Sequence, residues 1–513
     1  MRTLEGVKGR DIALRCPDGA AHRPYQMTKL VIVICLLAVA ARLILINQPY
    51  VDHWSWRQSD VAAIARNFLQ NGFRFDYPQI DWAGNAPGYV GTEFPILPFI
   101  AALCYTFAGV HEWIGRVQAV ILFAVSLPFF FLLVREVFGS TAAVWATFFY
   151  GFAPVNIFAG RSFMPDVPSL SFAIVGLYFF LKWMEDQNLG PLLATATAIS
   201  LCLLIKITNV IVLAPVAYVA VAPVSDRRQN GAHSAPLQWL GLLSVIALAP
   251  SAIWYWHAQQ VANKFYPHHF FGAGGIRIES FSWYWHIAQQ TLVSSLTPVL
   301  SLMALLGLFV PQPRDRKYSR LFYWWLVAMV LFIIVVGYGN RHRWYQLPLV
   351  PIAAAFAGTA CAFISSKVCS RVVAVTSSTL LVSSFMISAF WYVQPFYLSS
   401  AQLLHAGTEL KNVTAPDALI VAADMGDPTI FYYAERKGWH FLENEAIYNG
   451  NPDDSEQAIE DLERLRRRGA THFVFTRNTF WWLQSYPEFG RHLAQNANLI
   501  EATPEFKIYK LTP

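Results

Sequence analysis

Apolar runs of about 18 to 22 residues recur along this chain as far as residue 393, and each is long enough to cross a hydrocarbon core of ~30 Å as a helix. Backbone inside lipid must satisfy its own hydrogen bonds, so repeated runs of this length confine the region to a bundle of membrane helices. The expected fold class is an all-α polytopic membrane protein. Apolar residues make up 55% of the sequence and charged residues 14%, so each charge near the bilayer is informative by its position. The net charge of +6 is no nucleic-acid signature; much of it sits in short loops, where it sets orientation. The six cysteines, Cys16, Cys35, Cys104, Cys202, Cys361 and Cys369, form neither a disulfide framework nor a zinc-like spacing. The first apolar run follows about 28 mostly polar residues and lacks a small-residue cleavage site, so it reads as a retained anchor and not as a signal peptide.

With Arg10, Arg15, Arg23 and Lys29 on the cytoplasmic side, the spans read as roughly 29–47, 115–134, 141–159, 167–184, 191–205, 208–222, 237–256, 293–311, 320–339, 345–364 and 372–393. These about eleven crossings place Arg135, Lys182, Arg227, Arg228, Arg314, Arg316, Lys317, Lys367 and Arg371 inside, as the positive-inside rule requires. Segment 191–222 reads as one long span or as two short ones around Lys206; two are favoured, because an odd total exports the tail. The expected division is a cytoplasmic segment, 1–28, a transmembrane region, 29–393, with outer loops 48–114 and 257–292, and an extracytoplasmic α/β domain, 394–513. The expected location is the cytoplasmic (inner) membrane.

Two outer-face interfacial helices are expected in the first loop. One is capped by Ser59, carries Val61, Ile64, Phe68 and Leu69 at helical spacing, and stops at Gly72. The other runs from Pro95 to about Gly109 and is apolar all round. In the tail, Ala418–Ala423, Thr471–Thr476 and Phe506–Leu511 read as strands, and Ser455–Gly469 as a helix with Ala458, Leu462 and Leu465 on one face. Loop 257–292, with His268, His269, Gly272, Gly274 and Gly275, reads as a lid.

Ionisable residues gather just beyond the first span, in Asp52-His53-Trp54-Ser55-Trp56-Arg57-Gln58-Ser59-Asp60, and again at Glu93-Phe94-Pro95, Arg161 and Asp166. Such residues beside a bilayer are costly and default to functional hypotheses. Together with His342-Arg343-Trp344-Tyr345-Gln346-Leu347-Pro348 and Pro351, this ordered set resembles the GT-C glycosyltransferases. It is most similar to their protein O-mannosyltransferase-like bacterial branch (family 39, aminoarabinose–lipid A transferase-like). The resemblance implies inverting transfer of a sugar from a polyprenyl-phosphate carrier to a glycolipid, polysaccharide or protein acceptor on the outer face, in cell-envelope biogenesis. It makes Asp52 the expected general base, with Asp166 positioning substrate or sharing that role and Glu93 as the third catalytic candidate. Arg57, Lys206, Arg341 and Arg343 are the expected clamp for the lipid phosphate. His53, Trp54, Trp56, Arg161, His342 and Tyr345 are expected substrate contacts. The residues point to no particular cofactor; the resemblance allows a divalent metal, for which Asp52, His53 and Asp166 could supply ligands without a diagnostic spacing. Two positions depart from relatives: His53 follows Asp52 where many place a second acid, and Glu93-Phe94-Pro95 stands where the lipid A enzyme has a lysine before two prolines.

The chemistry agrees. A glycosyl phosphate already carries a good leaving group, so an enzyme needs a base for the acceptor hydroxyl and cations for the departing phosphate. Plainer readings stand beside these roles. Asp52 and Asp166 can cap helices, Glu93 can pair with Arg57, Lys206 can snorkel, and the tryptophans can anchor the interface. Three other functions compete: a ligase or polymerase using a lipid diphosphate-linked glycan, a flippase of lipid-linked sugars, and a non-catalytic scaffold.

Overall fold

The computed structural model describes residues 24–221, 237–271, 275–312, 318–398, 400–444 and 447–512. Most of the expected N-terminal segment, including Arg10, Arg15 and Arg23, lies outside these residues, as do Arg227, Arg228, Gly272, Gly274, Arg314, Arg316 and Lys317.

The chain is mostly helical. Five described helices are long and apolar enough to cross a membrane: Glu112–Phe138, Asp166–Asp186, Gln238–Lys264, Leu349–Lys367 and the one starting at Arg371. A sixth crossing arises if Phe281–Ser295 and Pro298–Leu308, bent by 106°, form one span. Several runs read as single spans are broken. Pro154 ends Ser140–Phe152 and opens the short helix Pro154–Ala159. Pro298 does the same inside run 293–311. Proline lacks the amide that the preceding helix would need and pushes the residue before it out of the helical region. At Lys206 the backbone is extended, at φ −154° and ψ 105°, between Leu189–Ile205 and the 3₁₀ turn Ile207–Val212, so segment 191–222 does fold as two pieces.

Small residues set close helix crossings. Ala142 and Ala146 of Ser140–Phe152 face Gly358 of Leu349–Lys367, where an added Cβ would lie 2.3 Å from the Ala142 carbonyl oxygen. Close backbone approach of this kind lets dispersion hold helices together where lipid provides no hydrophobic drive.

The C-terminal segment forms a mixed sheet of β1 (Leu419–Ala423), β2 (Lys437–His440), β3 (His472–Thr476), β4 (Ala497–Ala502) and β5 (Phe506–Leu511), in the order β2-β1-β3-β5-β4. β1 is parallel to β2 and β3; β5 is antiparallel to β3 and β4. Alternation along the strands separates two cores. Val421, Ala423, Phe473 and Phe475 pack with Ala458, Leu462 and Leu465 of helix Ser455–Arg467. Ile420, Ala422, Val474 and Ile508 face the other way, onto Leu403, Ile430 and Phe431, and also onto Ile64, Phe68, Ile80 and Trp82 of the first long loop. The sheet therefore completes one of its cores with loop residues.

That sharing corrects one expectation. The first loop helix spans Ser55–Asn71, with Trp54 at its N-cap instead of Ser59, and most of its residues are buried on every side. It lies wedged against the sheet instead of along a membrane surface. The second loop helix, Ile96–Ala108, falls where expected and leaves Ile100, Leu103 and Phe107 exposed.

The loop also extends the sheet. Gly84 N donates to Gly438 O at 2.7 Å, and Gly438 N donates to Asp81 O at 3.0 Å. Gly84 sits at φ +58°, and a Cβ there would lie 1.9 Å from the Trp439 ring. Gly84→Val is expected to destabilise the protein by about 1–3 kcal/mol through this clash and backbone strain. Thermal unfolding of the detergent-solubilised protein checks this; an unchanged midpoint would mean the seam tolerates a side chain.

Candidate active site

The residues singled out in the sequence fall into three groups in space. The first is a continuous line of buried charges. Arg57, in the first turn of helix Ser55–Asn71, directs Nη2 at both Glu93 oxygens, each at 2.8 Å. Glu93, just before helix Ile96–Ala108, lies 3.5 Å from Lys206 Nζ. Lys206, at the helix break, lies 3.2 Å from Asp166 Oδ1, at the start of helix Asp166–Asp186. The Lys206 ammonium also faces the Tyr345 ring, 4.5 Å from its centre. All four charged side chains are under 10% exposed. Burial pushes the Glu93 carboxyl up, but the Arg57 and Lys206 cations outweigh it and bring the group down to about 2. The stability this carboxylate contributes is therefore full above pH about 4.5 and lost as pH falls toward about 2.

Two atoms in this line have no hydrogen-bond partner: Arg57 Nη1, a donor, and Asp166 Oδ2, an acceptor. Buried polar groups are normally paired. An open donor and an open acceptor on one line of charge suit a ligand that is anionic at one end and hydroxylic at the other. Along the same edge stands an aromatic wall. The His342 ring stacks on Trp344 at 4.4 Å and 10°, and half-buried Trp56 tilts against both. Burial, with Arg341, Lys206 and Arg57 nearby, lowers His342 to about 4, so this imidazole is neutral.

The second group surrounds Asp52. Its Oδ2 accepts from Arg116 Nη2 at 3.1 Å, and its Oδ1 accepts from Gln58 Nε2 at 2.7 Å and from the Trp54 amide at 3.2 Å. Arg116, fully buried in helix Glu112–Phe138, also donates to the carbonyls of Ile46, Gln48 and Pro49. Sequence reasoning missed Arg116. Its signal was a cation two residues inside an expected span, the kind of residue that defaults to function.

The third group is looser. Arg161 donates to the Leu45 carbonyl at 2.6 Å and lies over Tyr397, with Nε and Nη1 unpartnered. Arg343 lies over Phe396, whose edge meets the His53 ring. Trp54 is buried against Phe158, Trp344 and Phe396, in packing positions. Arg341 is exposed over Tyr338 and does not join the buried line.

The metal that the resemblance allowed does not fit these residues. Asp52 faces Arg116 and Asp166 faces Lys206, each already neutralised by a cation. Among the described residues no three His, Cys, Asp or Glu side chains converge as a metal-holding group.

Sequence reasoning placed Asp60 in the ionisable cluster and His269 in the lid without a site role for either, and gave none to the tail residues that meet the loop helix. Asp60 accepts from Trp82 Nε1 at 2.9 Å. Burial raises its carboxyl to about 6 against the opposing pull of Arg57, that hydrogen bond and His440. His269, from the expected lid, packs its ring on Trp82 and Phe271 and is lowered to about 4 by burial and Arg57. An acid whose pKa rises on folding opposes folding at pH above its free value of 3.8, and the cost is full above about 6. Asp60→Asn keeps an acceptor for Trp82 and is expected to stabilise the protein at pH 7.5 by on the order of 3 kcal/mol, shrinking toward zero as pH falls to ~4. Melting curves across that range check it; a pH-independent effect would contradict the cause given.

Residues 92–254 match the family described as dolichyl-phosphate-mannose-protein mannosyltransferase. Among solved structures, the chain is similar to ArnT from Cupriavidus metallidurans bound to undecaprenyl phosphate, at 13% identity and a TM-score of 0.65, over 94% of this chain and 98% of that one. It is also similar to the oligosaccharyltransferase of Archaeoglobus fulgidus in complex with zinc and sulfate, at 15% identity and a TM-score of 0.61, over 94% of this chain and 73% of that one. Curated proteins give no match. The family resemblance read from the sequence is borne out, and the ArnT-like fold extends over nearly the whole chain.

Proposed function

On the premise that this is a multi-pass membrane chain with a segment, 92–254, of the GT-C protein-mannosyltransferase family, we propose that it is an inverting glycosyltransferase. It takes a sugar from a polyprenyl-phosphate carrier and passes it to a hydroxyl acceptor at the outer face of the cytoplasmic membrane. The pairing of an open guanidinium nitrogen, Arg57 Nη1, with an open carboxylate oxygen, Asp166 Oδ2, on one buried line of charge carries this reading. The acceptor oxygen attacks the anomeric carbon; the bond to the carrier phosphate breaks as the new glycosidic bond forms. The acceptor proton passes to Asp166, and the electron pair leaves on the phosphate, which Arg57 and Lys206 stabilise. Glu93 holds these two cations in place. Trp56, His342 and Tyr345 wall the sugar, and Arg161 and Arg343 extend positive charge toward the acceptor side.

Asp52 is the second candidate for base. Both of its oxygens are engaged, one by Arg116 and the other by Gln58 and the Trp54 amide. In the proposed division, 1–28 is cytoplasmic, 29–393 is catalytic with about eleven crossings, and 394–513 is extracytoplasmic. Product stereochemistry tests the reading: NMR of the product should show the anomeric configuration opposite to the donor. Retention would require a covalent glycosyl intermediate and would sink the single-displacement scheme.

A further inference from the structure

The turn that carries Asp52 is held from outside the helical bundle. Tyr50 N donates to Tyr433 Oη at 2.6 Å. Ser400 N donates to Val51 O at 2.9 Å, and His53 N donates to Phe396 O at 2.8 Å. Ser55 Oγ donates to Asp427 Oδ2 at 2.9 Å. Every one of these partners follows the last long membrane helix, which ends at Val393. One helical turn further on, Ser59 and Thr429 share a hydroxyl hydrogen bond of 3.0 Å. Asp427 joins the two sides, because its other oxygen accepts from the Thr429 amide at 3.0 Å. Residues 55 and 59 lie on one face of their helix, while Arg57 and Gln58, between them, turn toward Glu93 and Asp52.

We infer that Asp427 is a positioning residue for the reaction centre: by gripping Ser55 and the Thr429 amide together, it sets where the loop helix starts and hence where Arg57 and the Asp52 turn stand. This role rests on the function proposed above, but its geometry does not depend on it. An aspartate here is favoured over a neutral small residue because it supplies two acceptors at a fixed separation. Asparagine can satisfy the same two groups, taking the amide with its oxygen and giving a proton to Ser55 Oγ. Alanine satisfies neither and leaves the Thr429 amide without its partner. The tail thus acts on the centre through the loop helix without needing to touch the substrate.

The test uses full-length protein in detergent, with two readouts: hydrogen exchange of residues 50–59, and affinity for undecaprenyl monophosphate. Asp427→Ala is expected to speed exchange across 50–59 by about tenfold and to weaken undecaprenyl monophosphate binding by about tenfold, while β1 and β3 stay protected. Asp427→Asn is expected within about threefold of wild type on both. Unchanged exchange at 50–59, or faster exchange with unchanged affinity, would overturn the inference, as would an asparagine variant as impaired as alanine. Should Asp427→Ala unfold the sheet, Ser55→Ala decides from the loop side: faster exchange at 50–59 supports the inference and no change overturns it. Wild-type protein that fails to bind the lipid counts against the proposed function, and the exchange readout still judges the positioning.

Discussion

Replacing Arg57 by Gln is expected to weaken donor binding by at least 100-fold and to destabilise the protein by about 3–5 kcal/mol, because it removes one partner of a buried ion pair. Glu93 would keep only Lys206, at 3.5 Å, as its counter-charge. Held near 2 by two cations in the wild type, its carboxyl would rise, and the variant should lose stability at a higher pH than wild type does. Replacing Glu93 by Gln in the same background should recover part of the stability, since the unpaired charge is gone, yet none of the donor affinity. Titration of the solubilised protein with undecaprenyl monophosphate and thermal melts from pH 4 to 8 check both halves. A variant that melts normally and binds the lipid normally would make Arg57 a spectator.

Asp166→Asn is expected to slow sugar transfer by about 10²–10⁴-fold, the range set by loss of a general base, with little change in donor affinity. The amide cannot take the acceptor proton; it also removes one partner of the buried Lys206 pair, leaving Glu93 as the counter-charge of Lys206, so some stability is lost as well. Asp52→Asn disturbs more contacts. It breaks the buried contact with Arg116 and loosens a turn tied by Gln58 and three backbone carbonyls, so its loss should come with lower stability. Rates at matched folded amounts, beside melting points, separate the two. If Asp52→Asn folds normally and loses as much rate as Asp166→Asn, Asp52 is the base and Asp166 holds Lys206.

Much of the architecture was legible because it follows from periodicity. Three strands of the sheet and helix Ser455–Arg467 stand within a residue or two of their expected bounds, since alternation and the Ala458, Leu462, Leu465 stripe are local signals. β2 was not seen: Lys437-Gly438-Trp439-His440 is polar for a strand, and it is buried by partners distant in sequence, the loop around Gly84 on one side and the core that takes Trp439 on the other. The loop helix was read as interfacial for a related reason. Its polar face, with Ser55, Ser59 and Arg66, looks solvent-facing in sequence, but it pairs with Asp427, Thr429 and the Tyr432 carbonyl, more than 360 residues away.

The candidate site was legible as a meeting of charges. Arg57, Glu93, Lys206 and Asp166 come from four separate stretches and meet in one line, as expected of charges that an apolar chain retains. Arg116 escaped because nothing in its own sequence neighbourhood marks it as the partner of Asp52. Arg341 was overvalued: a basic residue near an aromatic cluster can equally be an exposed anchor over Tyr338.

The most direct test supplies the full-length protein, in proteoliposomes with a cell-envelope acceptor extract, with a panel of polyprenyl-monophosphate sugars and a polyprenyl-diphosphate glycan, and measures which carrier lipid is released. The account predicts free polyprenyl monophosphate from one monophosphate donor, and no release from the diphosphate glycan. Release from the diphosphate glycan alone, or movement of intact lipid-linked sugar across the bilayer with no carrier released, would contradict it.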